Sequence, residues 1–466
     1  MRYLALWISV TMALFTAACA SQKVDMAQST VGLHQPKQTY PAHESATEAV
    51  VNANLSSLQP TEARIIEKLT MADLIVLTLK YNSTLAAFND EIRSRDALIM
   101  QSGLLPNPSL SIDTENFAGR NDLRGFDGAE TTISVAQLIE LGGKRSKRSR
   151  MAAMEKDVAV WEYESRKLDI LNDAAKVFIH VLALQEQAAL NEDLVKLATK
   201  TFAAARDRVE AGKVSPVEKD RAQIELASSR SEANKVNREL NAAQRRLASF
   251  WERIHVKFEK VAGSLSKMEP PVSEEQIRDR LDLNPDFSRW RTEIQRREAA
   301  LELARSLSLP DVSVRLGIRH FQETDDSAVV AGVEIPLPFF DRNQGGIREA
   351  HANLAKTRQE SRAADIEAHT VLYETLQRLN ASHEEAVTLR DEILPGATGA
   401  FEAVESGYRE GKLNLMQVLD AQRALFFVRR QYLQALELYH IARSDLERLV
   451  GGPLKSSLKS MTDKNY

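Results

Sequence analysis

The chain has 466 residues, 43% hydrophobic and 27% charged, which is long enough for a large fold and too apolar for disorder. Lysine plus arginine number 61 against 65 aspartate plus glutamate, a net charge of −4, so no overall field points to a nucleic-acid partner. With aromatics at only 6%, long helices packed through Ala and Leu suit the composition better than a thick globular core.

Residues 1–18 read as a secretory signal: Arg2 precedes the apolar run "YLALWISVTMALF", and Thr16, Ala17 and Ala18 lead to Cys19. The run is too short for a spanning helix. Cys19 is the only cysteine, which excludes intrachain disulfides. Its place after Ala17-Ala18 resembles a bacterial lipobox, where cleavage leaves a lipidated N-terminal cysteine, although Thr16 stands where that motif usually has leucine. The alternative is an ordinary cut near Ala18. Residues 19–61, rich in Gln, Ser, Thr and Ala, read as a tether.

Beyond residue 62 helical patterns dominate, and the chain divides into two tandem repeats, 62–270 and 271–451, with a C-terminal tail at 452–466. Each repeat is interrupted by a pair of period-two segments, the signature of strands. The first pair covers about 108–117 and 130–140, joined by the Gly- and Asp-rich "AGRNDLRGFDGA"; the second covers about 311–321 and 328–337, joined by "QETDDS". In the second pair Val312, Val314, Leu316 and Ile318 share one face, opposite Ser313, Arg315, Gly317 and Arg319. Strands of this length with one apolar face suit a tilted membrane barrel. Four are too few to close one, so the pattern predicts an oligomer.

Helices follow each pair at Gly142-Gly143 and at "PLPFFDRNQGG", where Gly and Pro permit or force a change of direction and Asp341 or Asn343 is placed to cap. The basic run "KRSKRSR" (144–150) then falls just below the expected membrane surface, and reads either as a solvated helix face or as a partner for anionic head groups. Each repeat next carries a similar turn: "RVEAGKVSPVEKDRAQIEL" (208–226) and "YREGKLNLMQVLDAQRAL" (408–425). Aligning Gly212-Lys213 on Gly411-Lys412 brings Ala222-Gln223 onto Ala421-Gln422 without a gap. The first copy continues as a heptad seam of Ala222, Leu226, Ser229, Ala233, Val236, Leu240, Ala243, Leu247 and Phe250. In the second the seam is Ala421, Leu425, Val428, Tyr432, Ala435, Tyr439, Ala442, Leu446 and Leu449, in the same phase, which points to internal duplication.

Nothing in the chain suggests catalysis: there is no phosphate-binding glycine loop, no zinc-protease helix and no cysteine nucleophile beyond Cys19. The nine histidines are dispersed, and His351, His369 and His383 lack the spacing for a metal site within one helix. No cofactor is expected. A secreted hydrolase would need a convergent polar site, and a periplasmic coiled-coil scaffold leaves the alternating strands without a purpose.

Signal, tether and two repeats of helix, hairpin, long helix, tight turn and heptad helix resemble the outer-membrane factor family typified by TolC, over residues 62–451. Within it "LIELGGKR" and "VEIPLPFFDRNQGGI" look most like the CzcC-type outer-membrane subunits of heavy-metal efflux systems. The resemblance implies a mainly α fold with a small β part, in which a homotrimer builds a 12-stranded outer-membrane β-barrel continued by a periplasmic α-helical tunnel. It implies as partners a periplasmic adaptor protein, an inner-membrane RND pump and outer-membrane lipid, with heavy-metal cations as cargo or, alternatively, drugs and other organic solutes. Gly212, Lys213, Val214 and Ser215, with Gly411, Lys412, Leu413 and Asn414, match the family's adaptor-docking tips. Glu218 and Asp420 match acids facing the closed end of the tunnel, and Gln417 stands where TolC has another acid. The plain alternative for Glu218 and Asp420 is a first-turn acid complementing its helix dipole.

Overall fold

The structure, a computed structural model, describes residues 66–251, 258–270, 272–278 and 280–454. The signal, Cys19, the whole tether (19–61) and the C-terminal tail beyond residue 454 lie outside the described residues.

The elements in chain order are β1 (Ile66–Leu69), α1 (Met71–Tyr81), α2 (Ser83–Ser102), β2 (Ser109–Glu115), β3 (Glu130–Ile139), α3 (Lys144–Glu210) and α4 (Pro216–Ala248), followed by β4 (Phe258–Val261), α5 (Glu274–Arg278) and α6 (Pro285–Ser306). The rest comprises β5 (Val312–Phe321), β6 (Asp326–Glu334), α7 (Gln344–Thr388), a π turn (Leu389–Ile393), α8 (Leu394–Arg409) and α9 (Leu415–Leu449). The 67 residues of α3 run unbroken, so at 1.5 Å per residue the helix reaches about 100 Å. α7, the π turn and α8 form a second continuous rod of similar length. Pro395 lacks an N–H and would press on the carbonyl one turn back, and the wider π turn just before it relieves both problems.

Four strands form one antiparallel sheet in the order β2-β3-β5-β6, so each hairpin stays intact and the two join through β3 and β5. Registration puts Ile112, Ile133, Ile318 and Val329 in one row across all four strands. These side chains are 64%, 52%, 48% and 62% exposed, so an aliphatic face lies uncovered in the single chain. Polar groups hold the opposite face together. Ser111 and Ser134 share a hydrogen bond of 2.8 Å, and Arg319 donates to Thr132 Oγ1 (2.9 Å), Glu130 (2.8 Å) and Glu115 (3.2 Å), stapling three strands. β6 stops at Glu334 rather than near 337, because Pro336 and Pro338 remove the donors that would extend the ladder.

The junction from β3 into α3 uses two consecutive left-handed glycines, Gly142 (φ 69°) and Gly143 (φ 68°). Beyond them Lys144 is 5% exposed and its ammonium donates to Asp311 Oδ1 and to the Leu309 carbonyl, both at 2.7 Å; the Leu141 N–H donates to the same carboxylate oxygen. Arg148 forks onto Glu140 at 2.7 and 3.1 Å. Two members of the basic run thus fasten helix to sheet instead of facing solvent. Lys144→Met leaves Asp311 only partly satisfied, and thermal unfolding should report a loss of about 3 kcal/mol, the lower end for a broken buried pair because Asp311 keeps some water and its backbone donor.

A core lies around the middle of α3, where Phe178, Val181 and Leu182 pack with Leu247 of α4, Ala435 and Leu436 of α9, and the pair β1-β4. β1 and β4 pair in parallel, Leu69 opposite Val261. The Gln185 amide closes the edge of β4, donating to the Val261 carbonyl at 3.1 Å and accepting its N–H at 2.8 Å.

Candidate functional site at the paired turns

The two similar turns are built the same way. At the end of α3 the Lys213 N–H reaches the Arg208 carbonyl (2.9 Å) and the Gly212 N–H reaches Val209 (2.9 Å); at the end of α8 Lys412 reaches Gly407 (2.8 Å) and Gly411 reaches Tyr408 (3.0 Å). Each set is a Schellman closure, with its glycine left-handed at φ 70° and 79°. The next helix starts from a capping side chain. Ser215 accepts from the Val217 N–H, with Pro216 in the first helical turn, while Asn414 accepts from the Gln417 N–H at 3.1 Å. Gln417 returns the bond, its Oε1 accepting from the Asn414 N–H at 3.0 Å, which completes a capping box. That side chain is committed to fixing the start of α9.

Among the remaining residues of the turns, Gly212, Lys213, Ser215, Gly411, Lys412 and Asn414 are exposed, and Val214 and Leu413 are half-buried. A Cβ built on Gly212 meets no atom within 4 Å, so the outer surface of the turn is open. Of the acids, Asp420 is exposed, with Arg423 Nη1 at 4.0 Å on its own helix. Arg423 turns to the neighbouring repeat instead, donating to Glu225 Oε2 of α4 at 2.7 Å. Glu218 is half-buried, and its Oε2 is enclosed without a hydrogen-bond partner.

A second link between repeats escaped the reading of the sequence. The Arg208 guanidinium lies 4.4 Å from the centroid of the Tyr408 ring and donates to the Tyr408 carbonyl at 3.0 Å. Both residues fall inside the duplicated motifs, yet their alignment puts each beside a different counterpart, and a contact across repeats leaves no periodicity to find. Beneath the links an apolar cluster joins Ala205 of α3, Ala222 of α4, Phe401 and Tyr408 of α8, and Leu415, Val418, Leu419 and Leu425 of α9. Several histidines have structural partners elsewhere. His440 is hydrogen-bonded to the Leu265 carbonyl at 2.8 Å, and burial holds its pKa below the ordinary value; His180 meets Glu437 at 2.7 Å, a bond that raises its pKa. Among the described residues no three His, Cys, Asp or Glu gather in a way that would hold a metal ion, and no helix is long and apolar enough to cross a membrane.

Such a site has no reacting groups to offer. It presents two rigid, solvent-facing turns side by side, with titratable side chains distributed on the helices behind them. The sequence model of the family described as "Outer membrane efflux protein" matches residues 74–251 and 277–452. The cobalt-zinc-cadmium resistance protein CzcC of Cupriavidus metallidurans is 33% identical over 386 residues, covering 82% of this chain and 90% of that protein. The nickel and cobalt resistance protein CnrC of the same species is 24% identical over 300 residues, covering 64% of this chain and 70% of its own length. In fold, the crystal structures of CusC, described for conformational changes accompanying folding and transmembrane channel formation, match with a TM-score of 0.69 at 16% identity, over 85% of this chain and 96% of theirs. On the family match across both halves and the relative shared over most of its length, the chain belongs to the outer membrane efflux protein family, as an outer-membrane channel component of tripartite efflux and not an enzyme.

Proposed function

We propose that three copies of this chain form a conduit that passively conducts heavy-metal cations from a periplasmic adaptor and an inner-membrane RND pump to the outside. The observation that carries the assembly is the sheet: its aliphatic face is uncovered, β2 and β6 are its outer strands, and four strands cannot close in lipid. Three copies supply twelve strands, each repeat (62–270 and 271–451) giving one hairpin to the barrel and one turn to the periplasmic end. The cargo reading is supported by the resistance proteins CzcC and CnrC, whose names specify cobalt, zinc, cadmium and nickel.

In this reading Gly212 to Ser215 and Gly411 to Asn414 present six similar turns per trimer to the adaptor, Glu218 and Asp420 lie toward the narrow end of the tunnel, and Gln417 shapes the gate by capping. Selectivity for one ion belongs to pump and adaptor. A strain deleted for the gene should lose tolerance to cobalt, zinc or cadmium salts and regain it with the wild-type chain. Unchanged metal tolerance with new sensitivity to organic toxins would assign the cargo to organic solutes instead. Membrane cross-linking should give trimers; monomers alone would refute the assembly. Cys19, which lies outside the described residues, is the proposed lipid anchor, so Cys19→Ser should abolish incorporation of labelled fatty acid while the barrel keeps the protein in the outer membrane. Undiminished labelling would exclude the lipobox reading.

A further inference from the structure

Unsatisfied polar atoms collect at the paired turns. Besides Glu218 Oε2, the Tyr408 hydroxyl and both amide heteroatoms of Gln422 are enclosed without a hydrogen-bond partner. Gln422 is the extreme case, at 0% exposure. The reason lies in how differently the two repeats bury the same motif. Early α4 buries Ala222 and Leu226 and leaves Gln223 exposed, whereas early α9 buries Leu415, Val418, Leu419, Gln422, Leu425 and Phe426, a broader stripe that takes the aligned glutamine inside. A side chain covered by its own chain is reached by neither bulk water nor a second copy while the helices stay packed. A buried amide with no partner is worse than an apolar group of similar shape, and it recovers its hydrogen bonds only when α9 parts from its neighbours.

We infer that Gln422 is a gating residue of the channel, one that holds the packed turn close to opening; this rests on the conduit reading above. Its neighbour supplies the opposing effect. Arg423 points outward from the same helical turn and ties α9 to Glu225 of α4, so a latch and a destabilising group occupy consecutive positions. The balance between them sets how readily an adaptor's binding energy separates the helices.

The test compares the full chain in planar bilayers and in thermal unfolding with three variants: Gln422→Leu, Gln422→Met and, as the exposed counterpart, Gln223→Leu. Both Gln422 variants should raise the thermal midpoint and lower the resting conductance about tenfold, the ratio expected from removing one unsatisfied buried amide; Gln223→Leu should change neither. An unchanged or lowered midpoint in both Gln422 variants would mean that the amide is already satisfied, and would overturn the inference. So would a raised midpoint with unaltered conductance, which would make Gln422 a matter of stability alone. A wild type that passes no current would overturn the conduit reading and this inference together, whereas a conducting wild type with unmoved variants overturns only the role of Gln422.

Discussion

Gly212→Trp combined with Gly411→Trp should abolish metal tolerance in cells while the protein still accumulates and cross-links as a trimer. Both glycines are left-handed and close their helices, and the space outside Gly212 is empty within 4 Å, so a new indole there projects toward whatever docks and not into the protein's own core. At Gly411 the nearest atom to an added Cβ is Arg208 Nη2 at 4.0 Å, which likewise leaves room. Strain is the competing cause, since a non-glycine residue in this region costs about 1–2 kcal/mol. The double variant Gly212→Asn, Gly411→Asn separates the two, because asparagine tolerates the left-handed conformation and adds little bulk. Efflux retained with Asn and lost with Trp, together with loss of adaptor cross-linking, identifies a docking surface. Equal loss in both would mean that the turns matter only as turns, and normal efflux with Trp would remove them from the interface.

How much of this was legible depends on whether the physics is local. The sheet was, because a strand with one aliphatic and one polar face writes its alternation into consecutive residues, and Val314, Leu316 and Ile318 do so without interruption. So was each turn, because only glycine sits comfortably where Gly212 and Gly411 do. The pair β1-β4 was not legible: each strand has four residues, too few for a pattern, and they meet across nearly two hundred positions. Nor was the inequality of the repeats. Gln223 and Gln422 align without a gap, and only the number of neighbours around each helix makes one a surface residue and the other a buried amide. Gln417, which stands where TolC has an acid, has its carbonyl oxygen engaged in a cap, and nothing in its position along the chain announces that use.

The acids of the proposed gate carry the second large effect. Glu218→Ala with Asp420→Ala removes six negative charges from a trimer, and the reversal potential in a salt gradient should move toward that of an unselective pore. At about 10 Å in water each charge is worth roughly 0.4 kcal/mol to a passing monovalent cation. After screening at about 0.1 M salt the six together are worth roughly 0.9 kcal/mol, attractive for a cation and repulsive for an anion, so the cation-to-anion permeability ratio changes about twentyfold. Resting conductance should not rise. Asp420 is exposed and makes no cross-repeat bond among the described residues, and Glu218 presents an enclosed oxygen with no partner, so neither deletion frees a latch. The latch is Arg423 on Glu225, and Glu225→Ala should therefore do the reverse, raising resting conductance by up to about fivefold for a partly exposed pair while leaving the permeability ratio nearly unchanged. If the double acid variant leaves the reversal potential where it was, Glu218 and Asp420 are ordinary helix-start residues away from the ion path, and the narrow end of the conduit must be sought elsewhere.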